Sequence, residues 1–421
     1  MVAAETPRRE SSSARRRYVD DTVRVWLGLP PSSDADVPRL PARLERRFLR
    51  LEEYERPNRD AWDCWDHTFS ENFQDGLLAV AEVDRWLRDR RAELRDSAAL
   101  EPLWPRGKRF AVCLTHDVDV ISPRSTAGQV LRHAAGGLDR GSMERGPLRF
   151  ARPPVRAARA LRGGISRSPS TVSTLELSAE LDRRYDGTAS FFFTVPAGRD
   201  GSRYDCTYSF ADTCRFRGAR TTVADVARTL AHEGFDVGLH GSYYSAIRPG
   251  MLAAERAALE RHTGIVATTT RQHFLHWSIR DTPQLQHAAG FVADSTLGFN
   301  RTIGFRASTT LPFRHFDVAA DRALELLEVP LAIEDSAVLG KIGAAGDLQR
   351  AQELVRALVD EVVEVGGALT LLWHPDKLLR PDWRALYEWV LEYVAERNGW
   401  LTSLAGLERW WIARERQVLG S

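Results

Sequence analysis

The sequence predicts an α/β fold in which a parallel sheet is covered by helices, and three observations support this prediction. Short apolar, β-branched or aromatic runs recur along the chain and alternate with segments whose apolar residues are three and four positions apart. The helical segments end at glycine, as helices commonly do. Ionisable residues stand at the ends of the runs. Alternating strands and helices favour parallel pairing, in either a barrel or a doubly wound sheet.

Seven runs have the length and composition of buried strands. They are FAVCLT (110–115), ASFFFTV (189–195), FDVGLH (235–240), IVATTTR (265–271), FVADST (291–296), LELLEVPL (324–331) and ALTLLWH (368–374). Three segments between them have helical periodicity, namely 222–234, 251–264 and 348–367. Strand and helix therefore alternate over most of the chain after residue 105.

Composition excludes several classes of protein. Among the 421 residues, 58 Lys and Arg face 57 Asp and Glu, and a net charge of +1 gives no overall attraction to nucleic acid. The N-terminus lacks the apolar core of a signal peptide, and no window of about 18 apolar residues predicts a membrane span. We therefore predict a cytoplasmic protein that does not bind nucleic acid. Four scattered cysteines predict free thiols, with Cys206 and Cys214 as the pair that could meet in a loop.

Ionisable side chains cluster at the ends of the predicted strands. Asp117 and Asp119 follow the first run, His240 ends the third, Arg271 and His273 lie at the end of the fourth, Asp294 lies in the fifth and His374 ends the seventh. In α/β barrels the active site is assembled from strand C-termini. Carboxylates and imidazoles are ligands for a Zn-like divalent ion, on which water becomes nucleophilic near neutral pH. A further carboxylate and imidazole provide a base and an acid, so the set predicts a metal-dependent hydrolase.

Five short motifs occur in order at these positions. They are THDVD (115–119), LHGSYYS (239–245), RQHFLHW (271–277), DSTLGF (294–299) and LLWHP (371–375). Together they resemble the successive motifs of the polysaccharide deacetylase family, the NodB-homology domain of carbohydrate esterase family 4, over about residues 105–405. The resemblance implies a distorted (β/α)7 barrel that removes N-acetyl groups from amino sugars. It also implies a divalent metal ion, with Zn expected first and Co, Ni, Mn or Fe as alternatives.

The resemblance also implies roles for individual residues. Asp117 falls on the catalytic base, His374 on the acid that protonates the leaving amine, and Arg271 on the residue that holds the base in place. The family has adjacent aspartates, whereas one residue separates them here, so Asp119 is the expected metal ligand and shares a side of the strand with Asp117. His116 alternates with them and is expected to point away from the site.

The chain departs from the family pattern at its metal-binding turn, because Tyr244 follows His240 by four residues where a second histidine is expected. We favour His273 as the replacement, which gives a metal site of Asp119, His240 and His273. Alternatives are His276 or the phenol of Tyr244, or a site that holds metal weakly or not at all. The last case predicts a non-catalytic barrel that binds glycan or scaffolds a biosynthetic complex. Another alternative is a hydrolase of a non-sugar amide or ester.

Candidate substrate-binding residues lie beside the motifs, since aromatic rings commonly stack on sugars and Arg suits a phosphate or carboxylate. These candidates are Tyr243, Tyr244, Trp277, Asp294, Phe305, Arg306 and Trp373. Core or rim packing is the alternative interpretation of the aromatic residues, and a solvated loop is the alternative for Arg306.

Two parts of the chain lie outside the strand–helix alternation. We interpret residues 1–105 as a disordered start and a helical lead-in packed on the barrel, with one amphipathic helix within 71–94. Residues 106–421 form the barrel, which ends in a C-terminal helix and carries a basic insertion at about 121–170.

The basic insertion has ten Arg, no Lys and two acidic residues, which gives a local charge of about +8. This charge suits peripheral contact with an anionic membrane or with polyphosphate. A flexible insertion with solvated charges, or a lid over the site, is the alternative. The predicted substrate is a small-molecule, nucleotide-linked or lipid-linked N-acetyl sugar, and the sequence makes no prediction of oligomeric state.

Overall fold

The computed structural model describes residues 12–33, 35–56, 58–96, 98–121, 171–196, 201–202, 204–340, 343–344 and 346–420. The predicted disordered start and, beyond Ile121, the basic insertion therefore lie outside the described residues.

Most strands belong to one curled sheet. The strands are β1 (Phe110–Val118), β2 (Ser190–Thr194), β3 (Thr213–Phe216), β4 (Ala219–Thr222), β5 (Asp236–Gly241), β6 (Thr269–Gln272), β7 (Ala293–Asp294), β8 (Phe313–Asp317), β9 (Arg322–Glu328), β10 (Ile333–Glu334), β11 (Ala368–Leu372) and β12 (Gly399–Thr402). The sheet order is β10-β11-β1-β2-β5-β6-β7-β9-β8, parallel except for β8, and β3 and β4 form a separate antiparallel hairpin. The predicted α/β class with a parallel sheet is thus confirmed.

The sheet is distorted rather than a regular closed barrel. Residues 110–113 of β1 pair with β12, whereas residues 115–118 pair with β2, so β1 changes neighbour halfway along its length. In the described part of the chain, the two ends of the strand order, β10 and β8, do not pair with each other. The seven predicted runs correspond to seven of these strands, and the two-residue β10 has no apolar run of its own.

Helices cover the sheet and supply the lead-in. They are α1 (Ser13–Leu27), α2 (Ala42–Phe48), α3 (Leu51–Glu55), α4 (Glu71–Gln74), α5 (Glu82–Leu94), α6 (Thr171–Arg184), α7 (Val223–His232), α8 (Met251–Thr263), α9 (Thr282–Ala288), α10 (Asp335–Leu339), α11 (Leu348–Val365), α12 (Pro381–Glu396) and α13 (Leu404–Leu419). The glycine signals end α8 and α11 as expected, because Gly264 and Gly366 adopt the left-handed conformation at φ 73° and 71°. Among the described residues, none of these helices is long and apolar enough to cross a bilayer.

The lead-in packs into the same core as the sheet. Trp26 is fully buried and donates its indole N–H to the Pro312 carbonyl at 2.9 Å, and Phe48 meets Phe313 edge to face at 5.0 Å. The single amphipathic helix expected within 71–94 is instead two helices, α4 and α5. Gly76 adopts φ 71° between them, which ends the first helix and turns the chain.

Side-chain alternation along β1 decides which residues reach the site. Phe110, Val112 and Leu114 pack on one face of the sheet, while Ala111 and Cys113 pack on the other with the lead-in. The even-numbered face continues to His116 and the odd-numbered face to Asp117, at the C-terminal edge of the sheet.

Candidate active site

The first feature of the site is a pair of carboxylates at the end of β1. Asp117 Oδ2 lies 3.6 Å and Asp119 Oδ1 lies 3.3 Å from Nε2 of His240, which belongs to β5. His116 points to the opposite face, where its Nε2 lies 3.0 Å from a carboxylate oxygen of Asp182 in α6. Strand alternation therefore brings both aspartates to the His240 imidazole. It also keeps His116, the second residue of THDVD, out of the cluster.

Arg271 lies beneath Asp117. Its guanidinium is fully buried, with Nη1 3.8 Å from Asp117 Oδ1 and Nη2 donating to the Thr115 hydroxyl at 3.1 Å. Asp117 Oδ1 accepts no hydrogen bond from the described residues, and Arg271 Nε and Nη1 donate none. Since buried polar atoms are seldom left unpaired, this part of the site is suited to a further polar group.

His374 follows β11 and is held by Asp335 at the start of α10. Its Nδ1–H donates to Asp335 Oδ1 at 2.9 Å, and its backbone N–H donates to Asp335 Oδ2 at 2.7 Å. Nε2 is thereby aimed at Asp119 Oδ2, 3.5 Å away. Burial alone lowers the pKa of His374, but the charges of Asp335, Asp119 and Asp117 outweigh it and raise that pKa well above its usual range. The imidazole is therefore held as a cation that can donate a proton from Nε2.

His240 and His273 lie against Asp119 from neighbouring strands. His240 donates from Nδ1 to the Arg271 carbonyl at 3.0 Å, which directs its Nε2 towards the two aspartates. The His273 ring stacks on that of His240 at 4.9 Å, and its Nε2 is 3.9 Å from Asp119 Oδ2. Burial raises the pKa of Asp119, but the imidazoles of His273, His240 and His374 more than compensate and hold it well below its usual range.

Cys206 also reaches this cluster. Its Sγ lies 3.7 Å from Asp119 Oδ1 and 3.8 Å from His273 Nδ1, and each of the three residues offers one donor atom within 4.8 Å of the others. All four cysteines are free thiols, as the sequence predicts. No sequence motif marks Cys206 as a metal ligand, because it has no partner at a metal-ligand spacing.

The donor set of this cluster fits a divalent transition metal. A carboxylate, two imidazoles and a thiol are the donor types that Zn and Co accept, and the second nitrogen of His240 is already held by a carbonyl, as metal-bound histidines usually are. His276 has other partners, the Tyr243 carbonyl at 2.6 Å and Asp63 at 3.2 Å. The Tyr244 ring lies under the Arg248 guanidinium at 4.0 Å.

Two further carboxylates near the site, Glu334 and Asp335, were not identified as site residues from the sequence. Glu334 is half-buried, its buried Oε2 has no hydrogen-bond partner among the described residues, and burial raises its pKa to about 8. The sequence does contain a signal for these two residues. In LAIED (331–335) an apolar run ends in two acidic residues, as it does in THDVD. The predicted strand 324–331 stopped before them.

The predicted substrate-binding residues are mostly packed inside the protein. The Tyr243 hydroxyl donates to the Trp62 carbonyl at 2.5 Å, and Arg306 makes a two-pronged ion pair with Glu53 at 2.8 and 2.9 Å. Those that are at most 2% exposed are Trp277, Asp294, Phe305 and Trp373. Tyr244 is the one predicted member with a substantial part of its surface exposed.

Asp294 belongs to a second buried group, with His315 of β8 and Glu328 of β9. The Thr296 hydroxyl donates to Asp294 Oδ1 at 2.6 Å, and His315 Nε2 lies 2.9 Å from Glu328 Oε2. Burial raises the pKa of Glu328 to about 7 and lowers that of His315 to about 3. These groups therefore form a buried network that interacts electrostatically with Arg271.

Comparison with known proteins gives matches in structure alone. No protein-family model and no curated protein matches the sequence. Similar solved structures include a protein assigned as a polysaccharide deacetylase from Mycobacterium smegmatis (20% identity, 75% of this chain and 95% of that chain, TM-score 0.48). Others are PuuE allantoinase (16%, 75% and 95%, 0.47) and a protein assigned as a polysaccharide deacetylase from Pseudomonas aeruginosa (16%, 75% and 95%, 0.46). Because each TM-score is below 0.5, the fold assignment rests on the strand order and register of this chain.

Proposed function

We propose that the protein is a metal-dependent hydrolase that removes an N-acetyl or similar acyl group from an amino-sugar compound. One observation carries the proposal: three imidazoles, from β5 and from the residues that follow β6 and β11, converge on the carboxylates of Asp117 and Asp119 at the end of β1. A base, an acid and a set of metal ligands are the groups that amide hydrolysis requires.

Asp117 is the proposed base. Its Oδ1 has no hydrogen-bond partner among the described residues and faces the Arg271 guanidinium, which orients the carboxylate. It would accept a proton from the attacking water. His374, oriented by Asp335, would donate the Nε2 proton to the leaving amine. The raised pKa of His374 fits its role as the acid.

Asp119, His240 and His273 are the proposed residues that would hold the metal ion. When bound, a divalent ion would supply Lewis acidity towards the acyl oxygen and towards water. Two of its three proposed ligands come from adjacent strands, because β5 and β6 pair His240 with Arg271 and place His273 two residues later. The identity of the ion is open among Zn, Co, Ni, Mn and Fe.

The proposed substrate is a nucleotide-linked or lipid-linked N-acetyl sugar, or a glycosylated metabolite. Support comes from the charge of the insertion, about +8, which begins in the sequence two positions after Asp119. Contact of the same segment with an anionic membrane is part of this proposal for a lipid-linked substrate.

The test is release of acetate from a panel of free, nucleotide-linked and lipid-linked N-acetyl sugars. We expect turnover by the wild type and a loss of about 10²- to 10⁴-fold in kcat for Asp117→Asn. Asp36→Asn is the matched control, since this aspartate is exposed on the lead-in. Full activity of Asp117→Asn would remove Asp117 from the mechanism. Binding of a sugar without turnover in the wild type would favour the non-catalytic barrel.

A further inference from the structure

Cys206 is held in place by the chain on both sides of it. Preceding it, Asp205 accepts a hydrogen bond from the Tyr243 backbone N–H at 2.7 Å. Following it, the Tyr208 hydroxyl accepts one from the Thr194 backbone N–H at 2.9 Å, at the end of β2. These two anchors fix the segment against the ends of β5 and β2. The thiol therefore has a defined position at the C-terminal edge of the sheet.

The distances around Cys206 are close to those between ligands of one metal ion. With metal–sulfur bonds of about 2.3 Å and metal–oxygen or metal–nitrogen bonds of about 2.0 Å, neighbouring sulfur and oxygen or nitrogen ligands of a tetrahedral ion are about 3.5 Å apart. The corresponding separations here are 3.7 Å for Sγ to Asp119 Oδ1 and 3.8 Å for Sγ to His273 Nδ1. The donor atoms of Asp119, Cys206 and His273 all lie within 4.8 Å of one another.

The other candidate donors near the site already have partners. Both ring nitrogens of His276 are within hydrogen-bond distance of protein oxygens, from the Tyr243 carbonyl and Asp63. His374 Nδ1 is held by Asp335, and its Nε2 is needed as the proton donor. By contrast, Cys206 Sγ lies close to polar atoms of Asp119 and His273, which are proposed ligands themselves.

We propose that Cys206 is a protein ligand of the metal ion beside Asp119 and His273, whose donor atoms lie within 4.8 Å of its sulfur and of one another. On binding, the S–H bond breaks, the thiolate sulfur bonds to the ion and the proton passes to solvent. A thiolate selects Zn or Co over Mg and Mn, so the site prefers a thiophilic ion. This inference rests on the proposed metal dependence of the enzyme and deepens it by naming the ligand and the class of ion.

The test is cobalt spectroscopy on the full-length protein after its metal has been removed with a chelator. Thiolate bonded to Co²⁺ gives an intense charge-transfer band in the near ultraviolet, which nitrogen and oxygen ligands do not give. We expect this band in the wild type and in Cys214→Ser, a matched control in the β3–β4 hairpin. We expect no band in Cys206→Ser, with Co²⁺ affinity lowered at least about tenfold. Cys206→His should recover affinity without the band.

Two results would overturn the inference in different ways. If Co²⁺ binds stoichiometrically to the wild type and is lost in Asp119→Ala, but no charge-transfer band forms or the band survives in Cys206→Ser, Cys206 is not a ligand and the proposed function stands. If neither Co²⁺ nor Zn²⁺ binds to the wild type, the metal-dependent function itself fails and the inference fails with it. A circular dichroism spectrum equal to that of the wild type confirms that each variant is folded.

Discussion

At the scale of single residues, Asp335 supplies His374 with both a negative charge and a fixed orientation. Asp335→Asn keeps an oxygen that accepts from His374 Nδ1 but removes the negative charge 2.9 Å away. The pKa of His374 then falls, so the fraction present as a cation decreases as pH rises. We expect the alkaline limb of the kcat profile to move to lower pH, with kcat reduced about 10- to 100-fold at neutral pH.

The shape of the pH profile of kcat distinguishes a specific effect on His374 from general damage to the structure. A merely structural loss would lower kcat equally at every pH and leave the limb where it is. Asp376→Asn is the control, because Asp376 lies two residues after His374 and contacts Lys377 at 3.4 Å instead. If the alkaline limb does not shift in Asp335→Asn, the charge of Asp335 has no part in the mechanism.

Arg271 and Asp117 are a buried pair, so their contributions to stability should depend on each other. Arg271→Ala removes the guanidinium from the buried Asp117 carboxylate and leaves it with His240, 3.6 Å away, which should lower the free energy of unfolding by roughly 3–5 kcal/mol. Adding Asp117→Asn removes the poorly compensated charge and should restore part of that loss, with a coupling of roughly 1–3 kcal/mol. Urea unfolding of the two single variants and the double variant measures the coupling. If the two substitutions change the free energy of unfolding additively, the predicted coupling is contradicted.

Residue patterns in the sequence predicted the members of the site that follow recognisable strands. Alternation along β1 placed Asp117 and Asp119 on one side and His116 on the other. Cys206 could not be found this way, since the fold of a loop and not any spacing brings it to Asp119. The aromatic candidates beside the motifs were also beyond sequence reasoning, because a ring such as Trp277 looks the same in a cleft and in a core.

At the scale of elements, the turn that carries His273 depends on the lead-in. After His273, Phe274 and Leu275 both have positive φ, 61° and 49°, a backbone conformation that side chains with a Cβ seldom adopt. The turn is held by the Cys64 thiol, which donates to the Phe274 carbonyl at 3.4 Å, and by Asp63, which lies 3.2 Å from His276. The lead-in thus stabilises a strained turn next to the proposed metal site.

Loss of Asp63 should therefore weaken metal binding although Asp63 is not a ligand. We expect Asp63→Ala to lower Co²⁺ affinity up to about tenfold, because the turn is less firmly held, while the charge-transfer band of bound Co²⁺ keeps its shape. Competition with a chromogenic chelator measures the affinity. Asp66→Ala is the control in the same segment, since Asp66 accepts from Thr68 and not from the turn. Equal Co²⁺ affinities in wild type and Asp63→Ala would mean that the lead-in does not influence metal binding.

Elements with strong apolar runs were predicted and elements without them were missed. The run at 189–195 corresponds closely to β2, whereas the polar hairpin of β3 and β4 has no apolar alternation and was not anticipated. The run at 291–296 shortens to two residues in β7, because the chain leaves the sheet once Asp294 has entered the buried network. Pairing partners, and not the runs themselves, set the strand ends.

For the whole molecule, burial of carboxyl groups governs how stability depends on pH. Burial raises the pKa of Glu52 and Glu334 to about 8 and that of Glu255 and Glu328 to about 7. Sequence reasoning could not supply this, because it depends on the lead-in and the sheet sharing one core. A carboxyl whose pKa is raised by folding binds a proton in the native state that the unfolded chain has already released near pH 4.5.

Stability should consequently fall as pH rises from about 6.5 to 8. Over this range the native state holds protons that the unfolded chain does not, and each such group lowers the free energy of unfolding by up to about 1.4 kcal/mol per pH unit. The raised pKa values of His240 and His374 act in the same direction, since their stabilisation is lost as they deprotonate. His315, with its pKa lowered to about 3, affects stability only below about pH 6.5.

Glu52 allows this dependence to be tested away from the active site. It is 1% exposed with Oε2 unpartnered, and burial followed by the charge of Glu53 raises its pKa to about 8. Glu52→Gln removes the proton that this group holds, so its unfolding free energy should fall less steeply between pH 6.5 and 8, by at most about 2 kcal/mol in total. The exposed Glu392→Gln should follow the wild-type slope. Urea unfolding at pH 6.5, 7.25 and 8 measures the three slopes, and a Glu52→Gln slope equal to that of wild type would mean that Glu52 is ionised in the folded core.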